Sequence, residues 1–275
     1  DRLLSRGLGD VYKRQGYMWF ATGNGLSRFK DGRFKNFTTK DGLPSNKVRS
    51  LLLDKDGNLW IGTYGEGVSM YDGNSFSNYS TKDGIANGYV HVIYQHSSGD
   101  LWFGTGNGAV RFKDGKFTNY NDKKGFCNNY IGSITEDKFG NLWFGTDRCV
   151  VRYDGLDFTP ITVHDGLSSG VIYLLHADKK GHLWVGTNNG IDRISFDSYG
   201  QISSIKNYKS KQGFKGIECN SRAVYEDKEG NIWVGTVKGL VKYNPKHDKT
   251  NTFEPVTHIN NCLLYTSPSP RDRSL

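Results

Sequence analysis

Five positions of one repeated register carry the chemistry this chain could do. Arg49, His91, Gly132, Tyr173 and Arg222 each lie five residues before a turn residue: Asp54, His96, Asp137, Asp178 and Asp227 in turn. Two guanidinium groups, an imidazole and a phenol at equal phase in successive repeats suit an anionic or hydroxyl-rich ligand. Arg forks onto carboxylates, while His and Tyr add directed hydrogen bonds. Tyr89, Asn129, Tyr130 and Asn220 stand at the start of the same segments, and Tyr64 and Glu66 lie on a turn expected to emerge on the same face. These ten residues, with Gly132 excepted, are the ligand-binding candidates. The bland alternative is that this phase faces a solvated channel, or packs between repeats, and binds nothing.

A reaction is harder to find. No paired inward carboxylates, Ser/His/Asp set or metal cluster can be assembled. Acidic residues such as Asp54, Asp56, Asp72, Asp83, Asp114 and Asp154 concentrate in turns, where Asp-Gly is ordinary turn chemistry. The histidines share no spacing, and His91 with Glu66 is the nearest approach to an acid–base pair. No Gly-rich phosphate loop follows a strand and opens a helix. Cys127, Cys149 and Cys219 lack metal-ligand spacing, and their odd number offers no disulfide framework. The expectation is therefore no catalytic residue, no metal and no cofactor.

The elements that must position these residues are announced by tryptophan. All six (Trp19, Trp60, Trp102, Trp143, Trp184 and Trp233) fall in one phrase recurring at intervals of 41, 42, 41, 41 and 49 residues. A period of roughly 40–45 residues with short alternating runs and Gly-rich turns fits one four-stranded propeller blade per repeat. In the second repeat, apolar or alternating runs at 47–53, 59–63, 68–71 and 75–79 are separated by Asp-Gly or Gly-bearing turns. The candidate register lies in the first of these runs, taken as the innermost strand, so its members could ring a central channel. The Trp reads as scaffold, a ring that buries ~150–250 Å² in the wedge between neighbouring sheets. The Gly-Thr after it lets backbones approach closely. The turn Asp-x-x-Gly-x-x-Trp, at Asp54, Asp137, Asp178 and Asp227, resembles the Asp-box hairpin of sialidases, itself a scaffold turn distant from chemistry. Two departures stand out. Cys149 replaces the turn glycine found at Gly25, Gly67, Gly108, Gly190 and Gly239, which predicts a changed turn type. The fifth repeat is lengthened, with Asp197–Gln201 read as a protruding turn on an outer hairpin.

The two ends share no repeat wording. One DNA stretch, read forwards, encodes Cys262–Asp272, and its reverse complement in a shifted frame encodes Ser5–Gln15. That DNA resembles a transposase-type sequencing adaptor, so 1–15 and 262–275 are read as non-native tails and 16–261 as the natural segment. Removing their six bases and three acids lowers the formal charge from +8 to +5. The remaining Lys and Arg are scattered, which argues against a nucleic-acid footprint. No run of about 18 apolar residues suggests a membrane span.

The phrases Asp-Gly-Asn-Leu-Trp-Ile-Gly-Thr, Gly-Leu-Val-Lys-Tyr and Asp-Gly-Leu-Pro-Ser-Asn resemble the two-component regulator propeller repeat, over essentially all of 16–244. The resemblance implies an all-β propeller from the periplasmic part of a bacterial hybrid two-component sensor or related transcriptional regulator, of a kind common in Bacteroidetes. Such proteins carry two seven-bladed propellers, a β-sandwich domain, a membrane helix and cytoplasmic signalling domains. Gly213–Asn220 resembles the variant linker before the last blade of that tandem, and 245–261 resembles the exit towards the sandwich. Six repeats would then be an incomplete ring, about one blade short, with a free edge near Gly16–Thr22. The implied function is sensing of a carbohydrate or related small molecule and relay of a conformational change to a downstream signalling domain. The implied partners are an oligosaccharide or small ligand, the adjoining β-sandwich, and a second copy in the full-length protein. The alternatives are a protein-interaction or dimerisation propeller without its own ligand and, more remotely, a propeller glycosidase or lyase.

Overall fold

The computed structural model describes residues 8–14 (backbone only), 16–121, 124–210 and 214–248. Two units are distinguished, divided between Tyr243 and Asn244. The first is all-β, with no α-helix among the described residues, and consists of six blades in a propeller arrangement. Blade one is β1 (Leu8–Arg14), β2 (Tyr17–Thr22), β3 (Gly25–Lys30) and β4 (Arg33–Phe37). Blade two is β5 (Val48–Leu53), β6 (Leu59–Thr63), β7 (Val68–Tyr71) and β8 (Phe76–Tyr79). Blade three is β9 (Val90–Gln95), β10 (Leu101–Thr105), β11 (Gly108–Lys113) and β12 (Lys116–Tyr120). Blade four is β13 (Ser133–Glu136), β14 (Leu142–Gly145), β15 (Val150–Tyr153) and β16 (Phe158–Ile161). Blade five is β17 (Ile172–Ala177), β18 (Leu183–Thr187), β19 (Gly190–Phe196) and β20 (Ile202–Tyr208). Blade six has three strands, β21 (Cys219–Glu226), β22 (Ile232–Thr236) and β23 (Gly239–Tyr243). Every sheet is an antiparallel meander in chain order.

The second strand of each blade lies between neighbours on both sides, and in β6, β10 and β18 every residue is buried. Its glycine is required first by the innermost strand of its own blade, where a Cβ on Gly62, Gly104 or Gly145 would lie within 2.5 Å of Ser50, Val92 or Ser133, and then by the next blade. A Cβ on Gly62, Gly104 or Gly145 would meet Val90, Ile131 or Ile172 of the following innermost segment at 2.8–2.9 Å. The innermost strands can therefore approach one another, and they pack in sequence from β1 to β5, β9, β13, β17 and β21. No comparable packing joins β21 to β1 among the described residues.

Between blades the chain makes a one-turn 3-10 segment. Thr38, Ser80 and Thr162 cap it through Asp41, Asp83 and Asp165, and Gly42, Gly84 and Gly166 end it at φ 107°, 103° and 112°. Only glycine enters that left-handed region without strain.

The wedge between blades is filled as the repeat predicts. Five of the six Trp rings meet an aromatic of the next blade's third strand: Trp19 with Tyr71, Trp60 with Phe112, Trp102 with Tyr153, Trp143 with Phe196, Trp184 with Tyr243, at 4.7–5.8 Å between centroids. Those five tryptophans are buried, whereas Trp233 of blade six is half-buried. The indole N–H donates to the turn carboxylate at 2.8 Å in the Asp54, Asp137, Asp178 and Asp227 turns. Asp137 accepts in addition from the backbone N–H groups of Phe139 and Asn141. These acids are scaffold, as the repeat suggests.

Two expectations are corrected. The free edge near Gly16–Thr22 is absent, because Leu8–Arg14, read above as part of a non-native tail, pairs antiparallel with β2 as the innermost strand of blade one. Backbone groups on an edge strand accept a new strand with little regard to its sequence. The cysteines do form a disulfide, Cys127–Cys149, leaving Cys219 free and buried. Cys149 is not among the residues of positive φ, so the turn has changed type as expected. The protruding turn at Asp197–Gln201 is present, with Tyr199 exposed at its tip. The second unit shows one 3-10 turn, Pro245–His247, capped by Asn244. The expectations for 249–275 and for 1–7 lie outside the described residues.

Candidate functional site

A break in the ladder sets four of the candidate side chains apart from their strands. In β5 the pairing with β6 jumps from Val48–Thr63 to Ser50–Gly62, so Arg49 is the extra residue. The same jump isolates His91 between Val90–Thr105 and Val92–Gly104, and Tyr173 between Ile172–Thr187 and Leu174–Gly186. In β21 a wider irregularity between Cys219 and Val224 contains Arg222, whose φ of 57° is left-handed. A bulged residue leaves the ladder and re-aims its side chain, which is why bulges gather beside binding sites. Arg222 also carries a strain of roughly 1–2 kcal/mol, the cost of that backbone region for a residue with a Cβ.

Blade four solves the same position differently. Gly132 has no side chain to project, and a Cβ there would lie 3.0 Å from Cε1 of Tyr130. The Tyr130 ring occupies the space instead.

These groups converge. Arg49, His91, Tyr130, Gly132, Tyr173 and Arg222, from five blades, line one small cavity of about 50 Å³. His91 is 8% exposed, its ring 4.7 Å from that of Tyr130, and its buried Nδ1 has no hydrogen-bond partner. Tyr64 and Tyr89 stand beside the lining and outside it: both are exposed, joined by a β-bridge, with rings edge-to-face at 4.6 Å. The Tyr64 ring is 6.4 Å from His91.

Charge in the cavity is unequal. Burial and the nearby Arg49 and Arg222 guanidinium groups pull His91 down to about 4, so it is neutral near pH 7. Burial, then the Asp147 carboxylate, raises the pKa of Tyr130. Burial and a hydrogen bond with Glu218 raise that of Tyr173. The Asp147 carboxyl, on an otherwise exposed residue, is drawn far enough out of water to rise as well.

Five candidates do not join the lining: Tyr64 and Tyr89, which stand beside it, and Glu66, Asn220 and Asn129. Glu66 is exposed on its turn, its backbone N–H given to Thr63 Oγ1, and it stands outside the lining that holds His91. The Asn220 side chain donates to the Thr236 carbonyl, and the Asn129 carbonyl accepts from Gly108 N–H. Both serve the links around the strands. Asp147 and Ser221 line the cavity without having been singled out. Asp147 follows the Thr of Trp-x-Gly-Thr, the phase that supplies Tyr64 in blade two, so the same ruler could have found it.

The disulfide belongs to this site. Cys127 begins the segment that carries Tyr130, and Cys149 closes the turn that carries Asp147, so the bond fastens two lining groups to each other. Cys219 takes no part: burial pushes its thiol up to about 12.

A family model described as "two component regulator propeller" matches residues 42–65, 84–107, 125–148, 166–189 and 216–238. Each match spans an innermost strand and the strand bearing the Trp. The chain is a member of the two-component regulator propeller repeat family. No curated protein matches this propeller in sequence. Among solved structures it is similar to the extracellular domain of a protein described as a hybrid two component system of B. thetaiotaomicron (24% identity, TM-score 0.58, 87% of this chain and 39% of that one). A second, from a one component system of the same organism, has 22% identity and a TM-score of 0.66, over 86% of this chain and 33% of that one. A catalytically inactive virginiamycin B lyase from Staphylococcus aureus, with quinupristin, has 17% identity and a TM-score of 0.64, over 88% and 85%. At these identities the likeness shows the fold. The propeller spans between a third and two fifths of the first two chains. No described helix is long and apolar enough to cross a membrane.

Proposed function

We propose that this propeller is a ligand-sensing module of a bacterial two-component signalling protein and works outside the cytoplasm. Its ligand, a carbohydrate or related small molecule, sits at the cavity ringed by the bulged residues, and its binding is relayed through an adjoining β-sandwich to a signalling domain. The observation that carries this reading is the convergence of Arg49, His91, Tyr130, Tyr173 and Arg222, from five blades, on one cavity. A scaffold alone has no use for bulges at one phase with unlike polar side chains. The Cys127–Cys149 disulfide supports an oxidising compartment. Two extracellular-domain neighbours of two-component and one-component systems support the signalling context.

A glycan array followed by calorimetry on the purified chain tests the reading. Binding of a sugar by the wild type, and its loss in Arg49→Gln, is expected. Binding indifferent to every cavity residue would overturn it. A second reading has its own observation: Tyr225, Val237 and Leu240 of blade six are exposed, as suits a face that meets another protein or a second copy. A stable dimer with no glycan bound would favour that reading. Turnover of a bound glycan that disappears in His91→Ala would make the propeller an enzyme.

A further inference from the structure

The cavity is polarised, and its polarity names a ligand class. Arg49 and Arg222 come from blades two and six, yet the charge of both reaches His91 and Tyr130. Both guanidinium groups line the cavity and can donate charge-assisted hydrogen bonds to an anion bound there. Asp147, from blade four, is a carboxylate in the lining, an acceptor suited to hydroxyl groups. His91 adds a buried Nδ1 without a partner. Such an atom costs free energy that a ligand can recover by pairing with it.

Size restricts the choice further. A water needs roughly 10–15 Å³ of such volume, so a cavity of about 50 Å³ accepts a group of a few heavy atoms, such as a carboxylate, and excludes a sugar ring. The ring must therefore lie at the mouth. Tyr64, exposed and with its ring 6.4 Å from that of His91, and the exposed Tyr89 packed against it offer aromatic surface next to the cavity. We infer that the ligand is a hydroxy-carboxylate of the sugar-acid kind, its carboxylate held between Arg49 and Arg222 and its hydroxylated body against Tyr64 and Tyr89. The inference rests on the cavity being the ligand site proposed above. Its carboxylate comes either from a free sugar acid or from the acidic end of a glycan chain.

Calorimetric titration of the purified chain with D-glucuronate, with its uncharged isostere D-glucuronamide, and with a disaccharide ending in glucuronate tests it. Glucuronate is expected to bind roughly tenfold or more tightly than the amide, and Arg49→Gln or Arg222→Gln to erase that difference. Arg49 is exposed, so its variant keeps the fold; unchanged circular dichroism checks this. A disaccharide that binds more tightly than the monomer assigns the ligand to a chain end, and the reverse order assigns it to a free acid. Equal binding of acid and amide overturns the carboxylate and leaves the ligand site standing. So does silence from all three beside a neutral glycan whose binding depends on His91. Silence from these and from the whole array overturns both.

Discussion

Two phases of the same repeat have opposite fates. At the wedge, the turn acid, the Trp and the third-strand aromatic recur from blade to blade, and the five tryptophans that face a following blade are buried against it. At the innermost strand the backbone bulge recurs but the side chain changes, from Arg to His, Tyr and Arg, with Gly132 yielding its place to Tyr130. Constancy marks where blades must pack alike. Variation on a constant backbone marks where packing makes no demand.

The sharpest test of the wedge is its own end. Trp143→Ala empties a fully buried site and is expected to lose about 3–5 kcal/mol in denaturant unfolding. Trp233→Ala removes a half-buried ring with Lys242 Nζ 4.9 Å above it and should cost well under half as much. Equal losses would mean that Trp233 is covered by something other than a following blade.

The bulge phase predicts an acid response. Folding takes His91 from an ordinary pKa of 6.5 down to about 4. The unfolded chain then binds the extra proton between those values, so stability is full above about pH 6.5 and falls as the pH drops towards 4. The shift corresponds to roughly 3 kcal/mol once His91 is protonated in both states. His91→Asn should flatten the stability curve across that window. A slope that survives the substitution would place the acid sensitivity elsewhere, with His176, likewise lowered by burial, the next group to change.

Most of this architecture was legible because repetition supplies its own alignment. The interval between tryptophans gave the blades, and counting five back from each turn residue, His96 or an Asp, brought Arg49, His91, Tyr173 and Arg222 to one cavity. Tyr130 was found only as a neighbour, since its role depends on what Gly132 lacks. An odd count of three cysteines hides the disulfide, and the departure at Cys149 taken alone reads only as a changed turn. Cys127 stands where other connectors have Pro44, Ala86 and Ser168, and Cys149 where other turns have Gly, so both departures fall in one blade. Coincident departures in a repeat are a contact signal. The pairing of Leu8–Arg14 with β2 escaped for another reason: an edge recruits backbone, and backbone leaves no mark in a sequence.

That disulfide separates the two phases again, because it braces the channel side of blade four and not the wedge. Its halves are 22 residues apart, and opening such a loop in the unfolded chain is worth about 3 kcal/mol. Cys127→Ser with Cys149→Ser should lower the thermal midpoint accordingly and weaken glycan binding by loosening Tyr130 and Asp147. Trp143, in the wedge of the same blade, should keep its fluorescence maximum. A red-shifted maximum would show that the two phases are coupled through the blade.

Arg222 gives the smallest effect on stability and the cleanest split between the phases. Its left-handed backbone is one that glycine adopts freely, so Arg222→Gly relieves strain while the more flexible glycine costs entropy. The two nearly offset, and unfolding free energy should change by less than about 1 kcal/mol in either direction. Binding should nevertheless weaken roughly tenfold or more, because one of two guanidinium groups is gone. A wedge residue cannot show this combination, since its removal always leaves a cavity. If Arg222→Gly instead destabilised the propeller by several kcal/mol with its affinity intact, the guanidinium would be holding blade six in place. The bulge phase would then be scaffold after all.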